Sequence, residues 1–333
     1  MIDHNKPTLG DAEQAAAARV LTSGWVAQGR EVEAFEREFC AFLGLPEGHA
    51  VALSSGSAAL FISLLALGVK DKQVALPVYS CSSLTNAVAL AGGRSQFMDV
   101  AKIGPNVDVD GIATSDADIV IAAHMFGIPI PLHSVRGKMI LEDCAQALGA
   151  LADGTPVGLQ GTIGVYSFFA TKLITTGGQG GMIVARDRGL IDVVRDYRQF
   201  DQRRDKQVRF NFQMTDLQAA IGRVQLSKFE SFRLRRAQIY EQYRAAGIPL
   251  LDGQGAVRFR AVMPTDRAKH VIARLAQDGI SAIVPVEDWE LLDHPEIYPA
   301  ALRLARSTVS IPAYPSLTDA EITTIIRSVR SVS

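Results

Sequence analysis

A single lysine, Lys172, stands in the segment VYSFFATKLITTGGQGG (165–181), a run of apolar, small and glycine residues. Lysine is rarely buried without a partner, and one held in apolar surroundings gives up its proton more easily and becomes a nucleophile. The plain alternative is a stem laid along a strand end with its ammonium in water. Two other segments bear on the choice. In SSGSAAL, Ser55, Gly56, Ser57 and Ala58 lie between an apolar strand and a helix. Backbone N–H groups, hydroxyls and the helix dipole would converge there on a place suited to a phosphate, although a serine N-cap alone explains the motif equally well. In KMILEDCAQALGA, Glu142 and Asp143 close a buried strand. Ligands of open α/β sheets collect at the carboxyl ends of strands, and a buried carboxylate needs a cationic partner. That partner can be a metal, a protonated ring nitrogen or an arginine, or the carboxylate can simply cap the next turn. No cluster of histidines and acids has metal spacing, so no metal is expected.

Together, a phosphate nest, a strand-end carboxylate and a secluded lysine suit one cofactor, pyridoxal 5'-phosphate. The lysine answers its aldehyde with a Schiff base, the carboxylate keeps its ring nitrogen protonated, and the nest holds its phosphate. Other nucleotide-type sites are disfavoured. There is no GxxxxGK[ST] motif, and GGQGG precedes a strand, MIVA, rather than opening a helix as GxGxxG does.

The elements that would position these groups alternate along the chain. Val32, Phe35, Phe39 and Phe42 recur at helical spacing before Gly44. HAVALSSGSAALFISLLALG reads as strand, turn and helix, and QVALPVYSCSSLTNAVALAGG repeats the plan. SQFMDV, DADIVIAAH and KMILED are further strands. This alternation predicts an α/β fold with a mostly parallel sheet covered by helices on both faces. A long helical pattern begins at Thr215 and stops at Gly247-Ile248-Pro249, a domain boundary by its breakers. Residues 1–247 are therefore expected to form the large, cofactor-binding domain and 248–333 a small α+β domain. Within the latter, AVRFRAVMP, ISAIVPV and STVSIPAYP read as strands, with helices over DRAKHVIARLAQDG, near Ala300–Arg306 and from Thr318.

Bulk properties narrow the partners. With 48% hydrophobic residues in 333 the chain can bury a large core, and its net charge of −1 gives no reason to expect nucleic acid. Its one dense basic stretch, Arg195 to Phe210, is interleaved with aspartates and reads as a solvated loop. The three cysteines show no disulfide or zinc pattern, and the longest apolar run is broken by glycine and prolines. A cytoplasmic protein without a membrane segment is expected.

At these residues the chain resembles the DegT/DnrJ/EryC1/StrS aminotransferases, the sugar aminotransferases of PLP fold type I. The resemblance runs through LTSGWVAQGREVEAFEREF, SSGSAAL, ILEDCAQALGA, GVYSFFATKLITTG, FNFQMTDLQAAIGRVQL and VSIPAYPSLTDAEI, in that order. It implies a seven-stranded sheet in the large domain and a ping-pong transfer from an amino acid, glutamate above all, to the keto group of a sugar, nucleotide-activated, or a related carbonyl compound. By the same resemblance Lys172 would be the Schiff-base lysine and proton carrier. Asp143 would pair with the ring nitrogen and Gln146 approach the ring hydroxyl. Ser57, Ala58 and Ser167 would hold the phosphate, and Cys81 would lie against the ring where an aromatic side chain is common. Asn211 would reach the phosphate from a second copy, so that the active unit is a homodimer with a shared site. Family members that act as dehydratases typically carry histidine in place of the lysine, and Lys172 speaks against that alternative. A PLP-binding regulatory protein without turnover is the other.

Three positions depart from the family pattern: Gln213 stands where arginine is usual, Phe169 where a polar residue is frequent, and TTGGQGG replaces the commoner TTGEGG. All three belong to the acceptor side. The stretch Arg195–Arg209 could also reach a diphosphate across the dimer. His124, in AAHMFG, matches a frequent family histidine with either a structural or a substrate role, and Trp25 and Trp289 are assigned to neither core nor site.

Overall fold

The computed structural model describes residues 1–332. Helices α1 (Asp11–Ser23) and α2 (Arg30–Leu43) precede strand β1 (Ala50–Leu53). Then come α3 (Gly56–Ala66), β2 (Gln73–Pro77), α4 (Ser83–Leu90), β3 (Arg94–Met98), α5 (Val109–Thr114), β4 (Ile119–Ala123) and β5 (Met139–Asp143). A two-residue hairpin, β6 (Leu151–Ala152) and β7 (Thr155–Pro156), leads to β8 (Ile163–Ser167) and β9 (Gly181–Val184). The chain ends with α6 (Arg188–Arg198), α7 (Asp216–Ala245), β10 (Ala261–Pro264), α8 (Ala268–Gln277), α9 (Pro299–Arg306), β11 (Thr308–Ile311) and α10 (Asp319–Arg330).

Seven strands form one sheet in the order β1-β9-β8-β5-β4-β2-β3, and only β9 runs against its neighbours. The mostly parallel sheet is thus as the alternation predicts. Strand periodicity divides each strand between two apolar layers. Val51 and Leu53 of β1 pack with Leu60, Ile62 and Leu64 of α3, whereas Ala50 and Ala52 face Phe35 and Phe39 of α2 and Phe229 of α7. Phe35 and Phe39 are fully buried, while Phe42 is 37% exposed and lies between the rings of Phe39 and Phe229.

Because β1 is an edge strand, its outer backbone groups need other partners. Arg195 donates to the carbonyls of Gly48 and Ala50, Arg198 to that of Ala52, and Glu36 accepts the Ala52 N–H at 2.9 Å. Arg198 also pairs with Glu36. The start of the basic stretch is therefore helix α6 holding the sheet edge, not a solvated loop. Beyond it Arg203 and Arg209 pair with Asp196 and Asp205, which leaves neither as a free cation for a diphosphate.

Helix α7 starts at a capping box between Thr215 and Gln218 and spans two layers. Its first half packs below the large sheet, and Ile239, Tyr240 and Tyr243 near its end join the antiparallel pair β10–β11, α8 and α10. Two expected strands are shorter or missing there. Only the last four residues of AVRFRAVMP are strand, and ISAIVPV makes only isolated bridges, Ile283 to Ser310 among them, before Pro285 interrupts the ladder. Ile2 also bridges to Ile280, so the N-terminus returns to the C-terminal layer.

Candidate active site

A cavity of about 180 Å³ lies at the carboxyl ends of β5 and β8 and the N-terminus of α3, with Ser57, Cys81, Asp143, Ser167 and Lys172 in its wall. Five of the eight residues singled out in the sequence thus surround one space. Lys172 reaches it because the chain between β8 and β9 folds back on itself. The Lys172 N–H closes a tight turn onto the Phe169 carbonyl at 2.9 Å, and the Ala170 N–H bonds the Gly178 carbonyl at 3.0 Å. Gly177 and Gly178, with φ of 83° and 147°, return the chain into β9 through conformations that other residues resist. The Lys172 ammonium forms no hydrogen bond or ion pair among the described residues; Nζ stands 5.4 Å from the centroid of the Phe259 ring. Burial lowers its pKa, opposed by the Asp143 carboxylate and assisted by the Arg260 charge.

The two acids closing β5 have different surroundings. Glu142 is fully buried and accepts from His124 Nε2 at 3.0 Å and from the N–H groups of Gly158, Gln160 and Gly161 at 2.8, 2.8 and 2.6 Å. Burial would raise its pKa, but these donors hold it below the ordinary carboxylate value. His124 Nδ1 accepts the Ile130 N–H at 3.0 Å, which makes Nε2 the protonated nitrogen of a neutral ring. His124 is thus a structural clamp between β4 and β5. His124, Glu142 and Cys144 bring ligand-type atoms within 4.8 Å of one another, yet the Glu142 oxygens and both imidazole nitrogens are already engaged. Asp143, by contrast, receives one hydrogen bond, from Ala145 N–H to Oδ1 at 3.0 Å. Burial raises its pKa against the pull of that N–H and of Lys172. Its carboxylate is short of a cationic donor on the cavity side.

At the other end, Ser55 caps α3 by accepting the Ala58 N–H at 3.0 Å. The Ala58 amide is therefore engaged within the cap, and the side chain lies behind the wall. Ser57 Oγ donates to Ser83 Oγ at 3.1 Å. A Cβ at Gly56 would come within 2.8 Å of Ser167 Cβ, so glycine lets α3 approach β8 closely. Two hydroxyl residues from different elements and a helix N-terminus form a cradle that fits a phosphate. The wall also includes Phe169 and Gln179, two of the positions where the sequence departs from the family pattern.

The remaining expected residues are elsewhere in this chain. Gln146 accepts the Phe126 N–H at 2.8 Å and supports a backbone whose φ of 59° is costly for phenylalanine. Asn211 is exposed and accepts the Gln213 N–H at 3.0 Å. Neither belongs to the cavity wall of this protomer. Trp25 and Trp289 are 62% and 77% exposed, which removes both from the core. Arg260 and Phe259, beside Lys172, escaped the sequence reading: alternating arginines in VRFRAV look like the outer face of a strand.

The donor set fits pyridoxal 5'-phosphate at each of its three handles: an amine, a carboxylate short of a cation, and a hydroxyl-lined helix start. Comparison with known proteins agrees. The sequence model of the DegT/DnrJ/EryC1/StrS aminotransferase family matches residues 7–330. A dTDP-4-dehydro-2,3,6-trideoxy-D-glucose 4-aminotransferase from Saccharopolyspora spinosa is 30% identical, over 98% of this chain and 95% of its own. The crystal structure of the aminotransferase TlmJ from Streptoalloteichus hindustanus superposes with a TM-score of 0.92 at 29% identity, over 99% and 98% of the two chains. Spr1654 from Streptococcus pneumoniae, solved in its PLP form, shares the fold with a TM-score of 0.88 at 21% identity, over 99% and 97%. The match spans almost the whole chain, including every segment around the cavity: the protein belongs to the DegT/DnrJ/EryC1/StrS family of PLP-dependent sugar aminotransferases.

Proposed function

We propose that the enzyme moves an amino group from L-glutamate to the keto group of a nucleotide-activated sugar or related carbonyl compound, with Lys172 as its catalytic base. The observation that carries this reading is the pair Lys172 and Asp143. An amine without a hydrogen-bond partner and a carboxylate with one hydrogen bond face the same small cavity.

When bound, the cofactor supplies an aldehyde that captures amines and a ring that withdraws electrons from the bond being broken. The residues do the rest. Ser57, Ser167 and the first turn of α3, which Ala58 helps build, hold the phosphate end. Asp143 stabilises positive charge at the ring nitrogen, and the raised affinity of its carboxylate for a proton suits that task. Cys81 would flank the ring, and Gln146, behind the cavity wall, would bear on the ring hydroxyl only through the Phe126 backbone it holds. With the cofactor bound, Lys172 Nζ would take a proton from the substrate carbon and return it at the neighbouring position. Its lowered pKa raises the share of neutral amine available for that transfer. The same group works in reverse for the acceptor, which gives ping-pong kinetics. Asn211 completes the phosphate site from a second copy in a homodimer. The named acceptor of the Saccharopolyspora relative, a dTDP-linked dehydrosugar, supports a nucleotide-activated substrate.

The test is the visible absorbance of the PLP-loaded protein before and after L-glutamate, beside Lys172→Ala. Wild type should show the band of lysine-bound cofactor and lose it on adding glutamate, and the variant should lack it. A band that no amino donor changes would favour a PLP-binding protein without turnover.

A further inference from the structure

Arg260 begins the approach to β10 from the small layer, and its guanidinium makes no hydrogen bond or ion pair to any described residue. Its Nη1 is fully buried and unpartnered. Stacking on Phe259, with Cζ 5.5 Å from the ring centroid, places it on the same ring that Lys172 Nζ approaches to 5.4 Å. A second buried donor is close by. Tyr79, two residues before Cys81 in the cavity wall, is fully buried, and the Thr308 side chain is the one hydrogen-bonding group near its hydroxyl. Each of these two groups lies within electrostatic reach of the other.

The surroundings make this lack of an acceptor unusual. Arg236 is also buried and donates Nη1 to the Phe259 carbonyl at 3.0 Å, so the ring is framed by a further cation. His4 adds a group that burial, assisted by the Arg260 charge, keeps neutral. The one acid in electrostatic reach of Arg260 is Glu290, which is exposed and makes no ion pair with it, while Asp143 acts on Lys172. A desolvated guanidinium without an anion is strongly unfavourable, and its planar fork matches a carboxylate in two parallel hydrogen bonds. In an α-amino acid the carboxylate and the amine share one carbon, so whatever holds the carboxylate must stand next to the amine's reaction partner. Arg260, across one ring from Lys172, meets that condition.

We propose that Arg260 binds the carboxylate of the amino-acid donor and thereby selects an amino acid over a simple amine. The inference rests on the reading of Lys172 as the reacting amine, and the experiment separates the two. PLP-loaded wild type, Arg260→Gln and Arg260→Lys are titrated with L-glutamate and with 1-aminopropane, an amine without a carboxylate, while the cofactor band is followed. Arg260→Gln should keep the band of the resting enzyme and need about 10- to 100-fold more glutamate for half-saturation, with 1-aminopropane unaffected. Arg260→Lys should recover part of the loss, because it keeps the charge and gives up the fork. Succinate should compete with glutamate in wild type and lose that effect in Arg260→Gln.

A normal band with unchanged glutamate half-saturation in both variants would overturn the proposal. So would a loss for glutamate matched by an equal loss for 1-aminopropane, which would make Arg260 a general support of Lys172. If Arg260→Gln does not fold, the Lys variant and the succinate competition in wild type decide alone. Absence of the band from wild type would be a failure of the Lys172 reading, recorded before any variant is compared.

Discussion

Glu142 and Asp143 are neighbours on β5 with opposite hydrogen-bond balances: the first accepts four hydrogen bonds, the second one. The surplus fixes the loop 158–161 and His124; the deficit is left for a ligand. Substituting each should therefore separate stability from chemistry. Glu142→Gln leaves buried N–H groups facing an amide and should cost about 2–4 kcal/mol, read as a lower melting temperature. Asp143→Asn removes a carboxylate whose raised pKa already marks its charge as unfavourable in the cofactor-free fold. Melting of that form at neutral pH should hold or rise, while turnover with glutamate falls about 10³-fold. Equal melting losses in the two variants would refute the division.

The site's own segments were legible because each carries its reason locally. In SSGSAAL a serine, a glycine and a small residue follow an apolar run, and the strand–turn–helix follows from that pattern. What was not legible depends on contacts between distant segments. Ser55 caps α3 by accepting the Ala58 N–H, which takes up an amide the sequence offered to the phosphate. Arg195 and Arg198 read as surface charges because nothing in their own helix shows that it lies against an unpaired strand edge. Arg260 carried no signal in the sequence because Phe259 and Lys172 meet only through the packing of the two layers. ISAIVPV had a strand's composition, and Pro285 limited it to isolated bridges.

His4 links the N-terminus to the site and should make the fold acid-sensitive. Its Nε2 lies 2.9 Å from Ser310 Oγ, and the next residue, Asn5, donates to the Thr171 carbonyl beside Lys172. Burial, with the Arg260 charge, lowers its pKa to about 3. The unfolded chain takes up a proton below pH 6.5 and the folded one does not, so stability falls as pH drops from there towards 3. At pH 5 the loss reaches at most about 2 kcal/mol, at about 1.4 kcal/mol per unit. His4→Gln should flatten the melting temperature between pH 7 and pH 5. An unchanged slope would show that other groups set the acid limit.

Arg198 tests the edge of the sheet. Its side chain is 12% exposed, pairs with Glu36 and bonds the Ala52 carbonyl at 3.1 Å. Arg198→Ala should lower stability by about 1–3 kcal/mol and expose part of the β1 edge to other chains. Light scattering on heating should therefore begin earlier, with glutamate half-saturation unchanged. A change in half-saturation without one in melting would move Arg198 into the substrate site.

The proposed shared site predicts rescue between two defective proteins. Asn211 lies outside the cavity of its own protomer, on an exposed segment where Phe210 is 67% exposed and stacks on Phe212. If the segment serves a second copy, Lys172→Ala and Asn211→Ala each disable every site of their own homodimer. A mixed dimer then has one site with both defects and one with neither. After unfolding and refolding an equal mixture, half the dimers are mixed, and about a quarter of all sites are intact by the symmetry of the pair. Glutamate-driven loss of the cofactor band should return to about that fraction of the wild-type amplitude. If the mixture stays at the mean of its two parents, Asn211 acts within its own chain and the shared phosphate site is ruled out.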